Sequence, residues 1–399
     1  MKKSLIVFAG LFAVAVAGLF LLQLLSRDVP PPNDADLWPK ASAAPGADNA
    51  YDDFVKMTAK LQLSPAEREL LTLQEKSKTP DLAAVEPLIE RNAEALGLFS
   101  DFSRRTRFSD PNYLDPAKVT IETPVPQFFP IVNAARLSSL RGAALLRQGR
   151  APKALEEALR VMDAGQTLLR SDQPLISALV GMLTGNIGAR RAREVIRSGT
   201  LDKAWLLYAA RRVLAYKGGA AALQSGFRFE YISMTSMLAH LPETAVAQSN
   251  SLLVSVAARS SYLYQPEKTR ALFASRFRPV VEDAAKPCLP ARQPVAQLQP
   301  VDPRPNLVGR ILFNTASPQY EKLYTKRCEY DFQFAAVAVE AALAAYRLDH
   351  KRYPADLGEL VPRYLASVPA DPFTGAALLY SPGTGEVHTA GKGVDGEEL

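Results

Sequence analysis

Histidine and cysteine, on which much protein chemistry depends, are scarce in this chain. Its 399 residues include three histidines, His240, His350 and His388, and two cysteines. The histidines are far apart in sequence and lack metal-ligand spacing, and the chain contains no H-E-x-x-H, G-x-S-x-G or Walker A motif. The sequence therefore shows no sign of a zinc protease, a hydrolase with a nucleophile elbow or a P-loop enzyme.

Charge is absent from one long stretch near the start of the chain. Ser4–Leu25 contains 22 residues without a charged side chain, directly after Lys2 and Lys3. A helix of that length spans about 33 Å, which is enough for a hydrocarbon core of about 30 Å. Because lysines favour the cytoplasmic side, residues 26–399 are predicted to lie outside the cytoplasm. We therefore expect a single-pass membrane protein anchored through residues 1–26.

A cleaved secretory signal is the alternative for the same stretch. Ala15-Val16-Ala17 before Gly18 forms the small-x-small pattern that signal peptidase accepts. Cleavage there would leave Leu19–Leu25 as an exposed apolar end, so a retained anchor is favoured. Both possibilities export the chain. No cysteine follows the apolar run directly, which excludes a lipid-modified N-terminal cysteine.

The two cysteines, Cys288 and Cys328, both follow the apolar run. In an exported chain they lie in a compartment that permits disulfides. Each flanks a proline-rich connector that has little else to hold it, so we favour a disulfide over two buried thiols. A bond between them would close a loop of about 40 residues and stabilise the fold by about 3–4 kcal/mol.

Composition divides the exported part into segments, and its length favours about two domains. Seven prolines between Pro279 and Pro305 indicate that regular structure stops there. The predicted segments are a flexible tether (27–50), a mainly helical body (51–278), a proline-rich connector (279–330) and a C-terminal module (331–399).

Within the body, local signals predict where helices begin and end. Ser64-Pro65-Ala66-Glu67 has the form of a capping box at a helix start. Pro87 is predicted to interrupt the helical pattern, and the proline-rich residues 104–130 to form a loop or a short edge hairpin. Further helices are predicted over Ala220–Leu241 and Glu243–Tyr264.

Small residues recur at fixed offsets within residues 131–217. Two sets stand 50 residues apart: Gly142, Gly149 and Ala154, then Ala192, Gly199 and Ala204. The pattern resembles the helix pairs of tetratricopeptide-like repeats, in which small residues allow two antiparallel helices to approach closely. The resemblance implies α-helical hairpins that present grooves to peptides. Plain helical packing with coincidental small residues is the alternative.

Positive charge is concentrated in the same region. Residues 133–229 carry 13 arginines and three lysines against six acidic residues, a net charge of +10. Such a face could attract anionic lipids or acidic envelope polymers, although nucleic acid is not expected outside the cytoplasm. Solvated arginines whose stems cover apolar surface are the alternative. The candidate basic face consists of Arg190, Arg191, Arg193, Arg197, Arg211 and Arg212.

A set of spaced motifs marks the C-terminal module. A predicted helix ends in Tyr-x-x-Asp and leads to Tyr-Pro, a leucine-rich turn, a Pro-x-Asp-Pro-aromatic turn, two short strands and a Gly-x-Asp-Gly loop. These features fall on Tyr346, Asp349, Tyr353, Pro354, Leu357, Leu360, Tyr364, Pro369, Asp371, Pro372, Phe373, Tyr380, Pro382, Gly383, Gly393, Asp395 and Gly396. The set resembles the globular part of the major pseudopilin of type II secretion systems. The resemblance implies a small α+β module and a place in the bacterial inner membrane with most of the chain periplasmic.

The last loop of secretory pseudopilins resembles a calcium site built from carboxylates and backbone oxygens. The resemblance implies Asp395 as one ligand, with Glu397 or Glu398 as a second hard oxygen donor. Apart from this candidate calcium site, no cofactor is expected.

The expected fold is mainly α, with an N-terminal transmembrane helix, a body of α-helical hairpins and a small C-terminal α+β module. The expected function is non-enzymatic binding or assembly of a protein or peptide partner at the membrane. Two alternatives are an exported hydrolase of envelope polymers that uses carboxylates, and a pseudopilus-associated subunit. A deep pocket with convergent Asp, Glu or His would favour the enzyme, whereas a groove between helices would favour the binding protein.

Overall fold

The chain folds mainly as α-helices joined by short turns. The structure is a computed structural model that describes residues 17–18, 24–40, 46, 48–170, 173–248, 260–289, 304–315 and 320–393. Most of Ser4–Leu25 lies outside these residues. Within them, no helix is both long and apolar enough to cross a bilayer.

Twelve α-helices and one two-stranded sheet lie within the described residues. The helices are α1 (Tyr51–Lys60), α2 (Pro65–Lys76), α3 (Leu82–Arg91), α4 (Ala93–Arg104), α5 (Phe129–Arg147), α6 (Ala151–Leu169), α7 (Leu175–Arg197), α8 (Lys203–Leu214), α9 (Ala220–Gln248), α10 (Pro266–Asp283), α11 (Leu307–Thr315) and α12 (Glu321–His350). The strands are β1 (Leu379–Ser381) and β2 (Glu386–His388). The prediction of a mainly helical fold is confirmed.

Local sequence signals fix several helix ends. The predicted capping box is present, because the Glu67 amide donates to Ser64 Oγ at 3.3 Å and the Ser64 amide donates to Glu67 Oε2 at 2.8 Å. Asp202 caps α8 by accepting from the Trp205 amide at 3.0 Å. Gly149 and Gly199 end α5 and α7 with φ values of +73° and +71°, which glycine adopts without a Cβ penalty. Two helical hairpins result, α5–α6 and α7–α8.

The two hairpins contact each other closely where α6 packs on α7. A Cβ atom on Gly165 would lie 2.7 Å from the carbonyl oxygen of Gly181 and from the amide nitrogen of Gly185. One turn further along α7, a Cβ on Gly188 would lie 2.7 Å from the carbonyl oxygen of Ala158. By contrast, a Cβ on Gly142, one of the predicted small positions, would have ordinary contacts at 3.5 Å. Close packing of α6 on α7 therefore requires glycine at positions 165 and 188 and does not require it at position 142.

We expect Gly165→Ala to lower the free energy of unfolding by about 1–3 kcal/mol, because the new methyl group meets backbone atoms of α7 that can only move with the helix. Gly97→Ala is the matched control, since Gly97 is exposed within α4 and no atom lies within 4 Å of its Cβ position. That control should instead stabilise the protein by about 0.5–1 kcal/mol. Urea unfolding measures both changes in the free energy of unfolding, and equal changes for the two variants would contradict the close approach of α6 and α7.

The segment predicted to be a flexible tether packs against the body over residues 24–38, which we call the strap. Asp34 accepts from Arg270 Nε at 2.8 Å and Nη2 at 3.0 Å, and also from the hydroxyl of buried Tyr231. Asp36 accepts from Arg278 Nε at 2.9 Å, and Leu37 is only 1% exposed in the main core. The prediction of a flexible tether is therefore wrong for this part. The polar composition of the strap did not indicate that its aspartates pair with arginines of α10.

Proline interrupts the helices less than predicted. Pro87 and Pro279 lie inside α3 and α10, and α9 continues past Pro242 to Gln248. A proline inside a helix removes one hydrogen bond, but packing can offset that loss. In α10, Phe273 and Phe277 are fully buried and pack against aromatic side chains of α11 and α9. The connector predicted over residues 279–330 contains α11 and the first turns of α12. The segment 104–130, predicted as a loop or a short edge hairpin, contains 3₁₀ turns and no strand.

Helix α12 joins the C-terminal part to the rest of the core. It packs against α7 and α8, and the hairpin of β1 and β2, with Tyr380 opposite Val387, packs on it. Cys328, on α12, forms a disulfide with Cys288, and their Cα atoms are 6.3 Å apart. One contiguous set of buried residues runs from Leu37 to Val387, so α12 and the strands share a core with the helical hairpins.

Several motif residues of the C-terminal module hold its turns in place. Asp371 accepts from the Phe373 amide at 2.8 Å and from Thr389 Oγ1 at 2.7 Å, which ties the Pro-x-Asp-Pro turn to the chain beyond β2. The Tyr380 hydroxyl donates to the Pro354 carbonyl at 3.0 Å. The motif therefore has a structural role in its turns.

The carboxylate of Asp349, at the end of α12, is held ionised by its neighbours. Lys203 Nζ donates to it at 2.5 Å and the Tyr364 hydroxyl at 2.6 Å, and these contacts lower its pKa to about 2. Since the folded pKa lies below the unfolded value of 3.8, the stabilisation is present above pH 3.8 and is lost as the pH falls towards 2. In a carboxyl NMR titration, Lys203→Met should raise the pKa of Asp349 while leaving the fold intact. An unchanged midpoint would contradict the assignment.

Candidate functional site

An open concavity of the described residues runs between the end of α2, α5, α7 and the N-terminal part of α12, which contributes Lys326 and Glu329. Its apolar half has a volume of about 1000 Å³ and its basic half about 620 Å³, and Glu75, Lys76 and Arg190 line both. We call the two halves together the groove. Because the halves share these residues, one elongated ligand can contact both.

The apolar half presents large side chains that the core leaves exposed. Phe129, the first residue of α5, is 75% exposed, although it follows Phe128, which is buried. Pro124 and Pro126 keep the preceding chain out of a helix, so Val125 stands on the groove wall. The main apolar lining consists of the exposed Val125, Phe129, Ile176 and Leu183, the partly exposed Leu179 and the buried Val132. A contiguous apolar patch of this kind is typical of a surface that binds another molecule.

The basic half is formed by successive arginines of α7 and by the end of α2. Arg190 donates from Nη2 to both oxygens of Glu75, at 2.7 and 2.9 Å, and this carboxylate is almost fully buried. Lys76 and Lys78 are exposed beside it, and no carboxylate of the described residues lies within ion-pair distance of either. The charged side chains that line the basic half comprise two acids and six bases, so the surface is positive overall.

Arg136 places a further cation inside the apolar half. Its Nη1 donates to Asn133 Oδ1 at 3.3 Å, and its buried Nε has no hydrogen-bond partner among the described residues. Burial lowers the pKa of the guanidinium, while the charge of Glu75 acts in the opposite direction. Because Arg136 lines the apolar half, its charge would attract an anionic group of a ligand bound there.

Four of the six residues of the predicted basic face come together in the groove. Arg190, Arg191, Arg193 and Arg197 all line its basic half. They are partly neutralised: Arg191 pairs with Glu194, while Arg193 and Arg197 both pair with Glu340.

Arg211 and Arg212 lie elsewhere, on α8. Arg212 donates to Asp163 at 2.6 Å and stacks on the ring of Tyr208. The predicted face is therefore divided, and its positive charge is smaller than the sequence count suggests.

Sequence reasoning missed Lys76, Lys78, Phe129 and Arg136 as groove residues. Nothing in the local sequence distinguishes Phe129 from Phe128. Phe128 lies in the core and Phe129 outside it only because of the direction in which α5 begins. Likewise, α2 and α7 meet through the Arg190–Glu75 pair, which joins residues far apart in sequence. No pattern in the chain reports such a contact.

A second, smaller cavity is lined by carboxylates. It has a volume of about 230 Å³ and lies between the α7–α8 turn, α12 and the strand hairpin. Two carboxylates line it, but Glu340 accepts from Arg193 and Arg197 through both oxygens, and Glu386 accepts from Thr384 Oγ1 at 3.0 Å. Both carboxylates are therefore engaged by side chains of the protein itself.

The predicted calcium ligands Asp395, Glu397 and Glu398 lie outside the described residues. In the part of the chain that the structure describes, no three acidic, histidine or cysteine side chains are grouped so that they could hold a metal ion.

The chain matches no family model, no curated protein sequence and no solved structure.

Proposed function

We propose that this protein is a membrane-anchored binding module whose groove holds an acidic, amphipathic helix of a partner protein at the bacterial inner membrane. The observation that carries the proposal is the continuity of an exposed apolar surface with a positive one. A helix with an apolar face and acidic flanks offers the complementary pattern. The apolar contacts would supply most of the affinity, and the charges would set orientation and association rate.

The geometry favours a peptide helix over an extended polymer chain. The apolar half is bounded by α5 and α7, and Phe129 and Leu183 stand exposed on these two walls. Helix-in-groove recognition uses such walls to receive apolar side chains spaced at three and four residues. Arg136 and Arg190 then lie where acidic residues flanking the apolar face would reach them.

The membrane anchor at Ser4–Leu25 is part of the proposal and rests on the length and hydropathy of that stretch. Export is supported by the Cys288–Cys328 disulfide, since disulfides persist in oxidising compartments. The periplasmic side of the membrane satisfies both observations.

The two family resemblances bear on which parts of the fold bind partners. The groove lies between α5 and α7, the first helices of the hairpins α5–α6 and α7–α8, and a groove presented by helical hairpins is what the tetratricopeptide-like resemblance implies. The succession of α12, a 3₁₀ turn and a two-stranded hairpin accords with a pseudopilin-like module that gives a second docking surface. A pseudopilus subunit is less favoured, because the apolar run has no glutamate near its start and lies far in sequence from α12.

The test uses the full chain in nanodiscs and a fluorescein-labelled synthetic helix with leucines on one face and glutamates on its flanks. Saturable binding in fluorescence polarisation is expected, weakening as salt is raised. Phe129→Glu should weaken binding by about tenfold or more, because a carboxylate enters the apolar half and repels the peptide.

The matched control is Leu73→Glu, which adds the same charge at a residue of α2 that is 62% exposed and does not line the groove. It should bind as the unaltered protein does. Equal losses in the two variants, or equal binding of a peptide with lysines in place of glutamates, would overturn the proposal. Saturable binding of phosphatidylglycerol with no binding of the peptide would replace the helix with a lipid.

A further inference from the structure

The strap fixes the point at which the chain would leave the bilayer. Gln265 Nε2 donates to the carbonyl oxygens of Leu25 at 2.9 Å and Arg27 at 3.1 Å. Asp28 accepts from the Glu267 amide at 2.8 Å and the Lys268 amide at 3.0 Å, and so caps α10 from a distant part of the chain. The residues directly after the apolar run are therefore bound to the start of α10.

The same residue, Gln265, joins this point to α11. Its backbone amide donates to Asn306 Oδ1 at 3.0 Å, one residue before α11 begins. The Val308 amide, in the first turn of α11, donates to the Leu263 carbonyl at 2.9 Å. Residues 24–28, the start of α10 and the start of α11 consequently form one rigid corner of the molecule, which we call the exit corner.

The exit corner exposes apolar and basic side chains together. On α11, Phe313 is buried while Ile311 is 42% exposed, and Leu307 and Val308 remain partly exposed one turn earlier. Arg27 and Arg304 are exposed and Lys268 is partly exposed at the same corner. Short amphipathic helices with such flanks lie at the surface of anionic bilayers, where apolar side chains enter the acyl boundary and cations meet headgroups.

We propose that the exit corner rests on the anionic surface of the bilayer, with Ile311, Leu307 and Val308 inserted at the headgroup boundary. This inference rests on the proposed anchor at Ser4–Leu25. It assigns α11 as a membrane-contacting helix and gives the body one fixed orientation, because Asp28 and Asp34 of the strap accept hydrogen bonds from α10 and Gln265 donates to the strap backbone. A chain held by a flexible tether would allow the body to rotate freely above the bilayer.

The test places an environment-sensitive NBD fluorophore at position 311 through Ile311→Cys in the full chain, reconstituted in vesicles of phosphatidylethanolamine and phosphatidylglycerol. The native cysteines are disulfide-bonded and do not react with the label. Because Ile311 is exposed, the substitution leaves the core unchanged. Leu73→Cys on α2, which packs against α5, is the control.

We expect NBD emission at position 311 to shift to shorter wavelength and to be quenched by lipids that carry a shallow nitroxide, with neither effect at position 73. The effect at position 311 should weaken in vesicles of phosphatidylcholine alone, because the headgroup attraction is lost. Equal quenching in both lipids would overturn the anionic component of the proposal. If the protein floats with the vesicles but the fluorophore at position 311 is not quenched, the proposed contact of the exit corner with the bilayer is wrong and the proposed anchor stands. If it does not float, the anchor and this inference fail together.

Discussion

Replacing Glu340 by alanine should lower the free energy of unfolding by about 3–5 kcal/mol. Glu340 is 6% exposed on α12 and accepts from Arg193 at 2.8 Å and from Arg197 at 2.7 Å. Arg193, whose side chain is 14% exposed, would keep only its bond to Gln333 at 2.7 Å. A buried cation without its anion costs far more than the pair contributes when intact, and this asymmetry sets the size of the effect.

The double variant Glu340→Ala/Arg193→Leu separates the two components. Removing the stranded guanidinium should recover a large part of the lost stability, because no buried charge remains. Asp101→Ala is the surface control, since its ion pair with Arg104 is exposed, and it should change stability by less than about 0.5 kcal/mol. Urea unfolding measures all three, and a loss for Glu340→Ala as small as that of the control would contradict the buried pair.

The ion pairs of Glu340 also explain why the candidate basic face was only partly predictable. The arginines of α7 stand at helical spacing, so their common side could be inferred from sequence. The partners of Arg190, Arg193 and Arg197 could not, because Glu75 and Glu340 come from α2 and α12, and only the packing of α7 between these helices brings them close. A net charge counted along the chain therefore overstates the field that a ligand would meet.

The helical class was predictable because its signals are local. The capping box at Ser64 and the glycines at positions 149 and 199 each act through a turn of backbone. The extent of the helices was less predictable around proline. At Pro279 the buried aromatic side chains of α10 offset a lost hydrogen bond, and that compensation depends on tertiary contacts.

The strap shows the opposite kind of error, since a polar segment was mistaken for an unstructured one. Its aspartates are bound by Arg270 and Arg278 of α10, more than two hundred residues further along the chain. A single apolar residue, Leu37, completes the docking. Composition alone cannot distinguish a segment that binds its own fold from one that stays in solvent, because both are polar.

Loss of the disulfide is the second large effect that we expect. The bond joins residues 40 positions apart, and the chain-entropy relation gives a stabilisation of about 4 kcal/mol for such a loop. Cys288→Ala/Cys328→Ala should therefore unfold at a markedly lower urea concentration than the native protein. The segment around Cys288 would keep a backbone bond from the Leu289 amide to the Phe373 carbonyl at 2.6 Å, so the native fold should persist.

Reductant provides the internal control for this prediction. Dithiothreitol should bring the native protein close to the double variant and leave the variant itself unchanged, so a native protein whose stability does not respond to reductant would contradict the assignment. The same bond reports on compartment, because thiols stay reduced in the bacterial cytoplasm. Alkylation of whole cells should find Cys288 and Cys328 oxidised in the full chain and reduced when residues 4–25 are deleted. Reduced thiols in the full chain would mean that the apolar run does not export the body, and the proposed anchor would then be wrong.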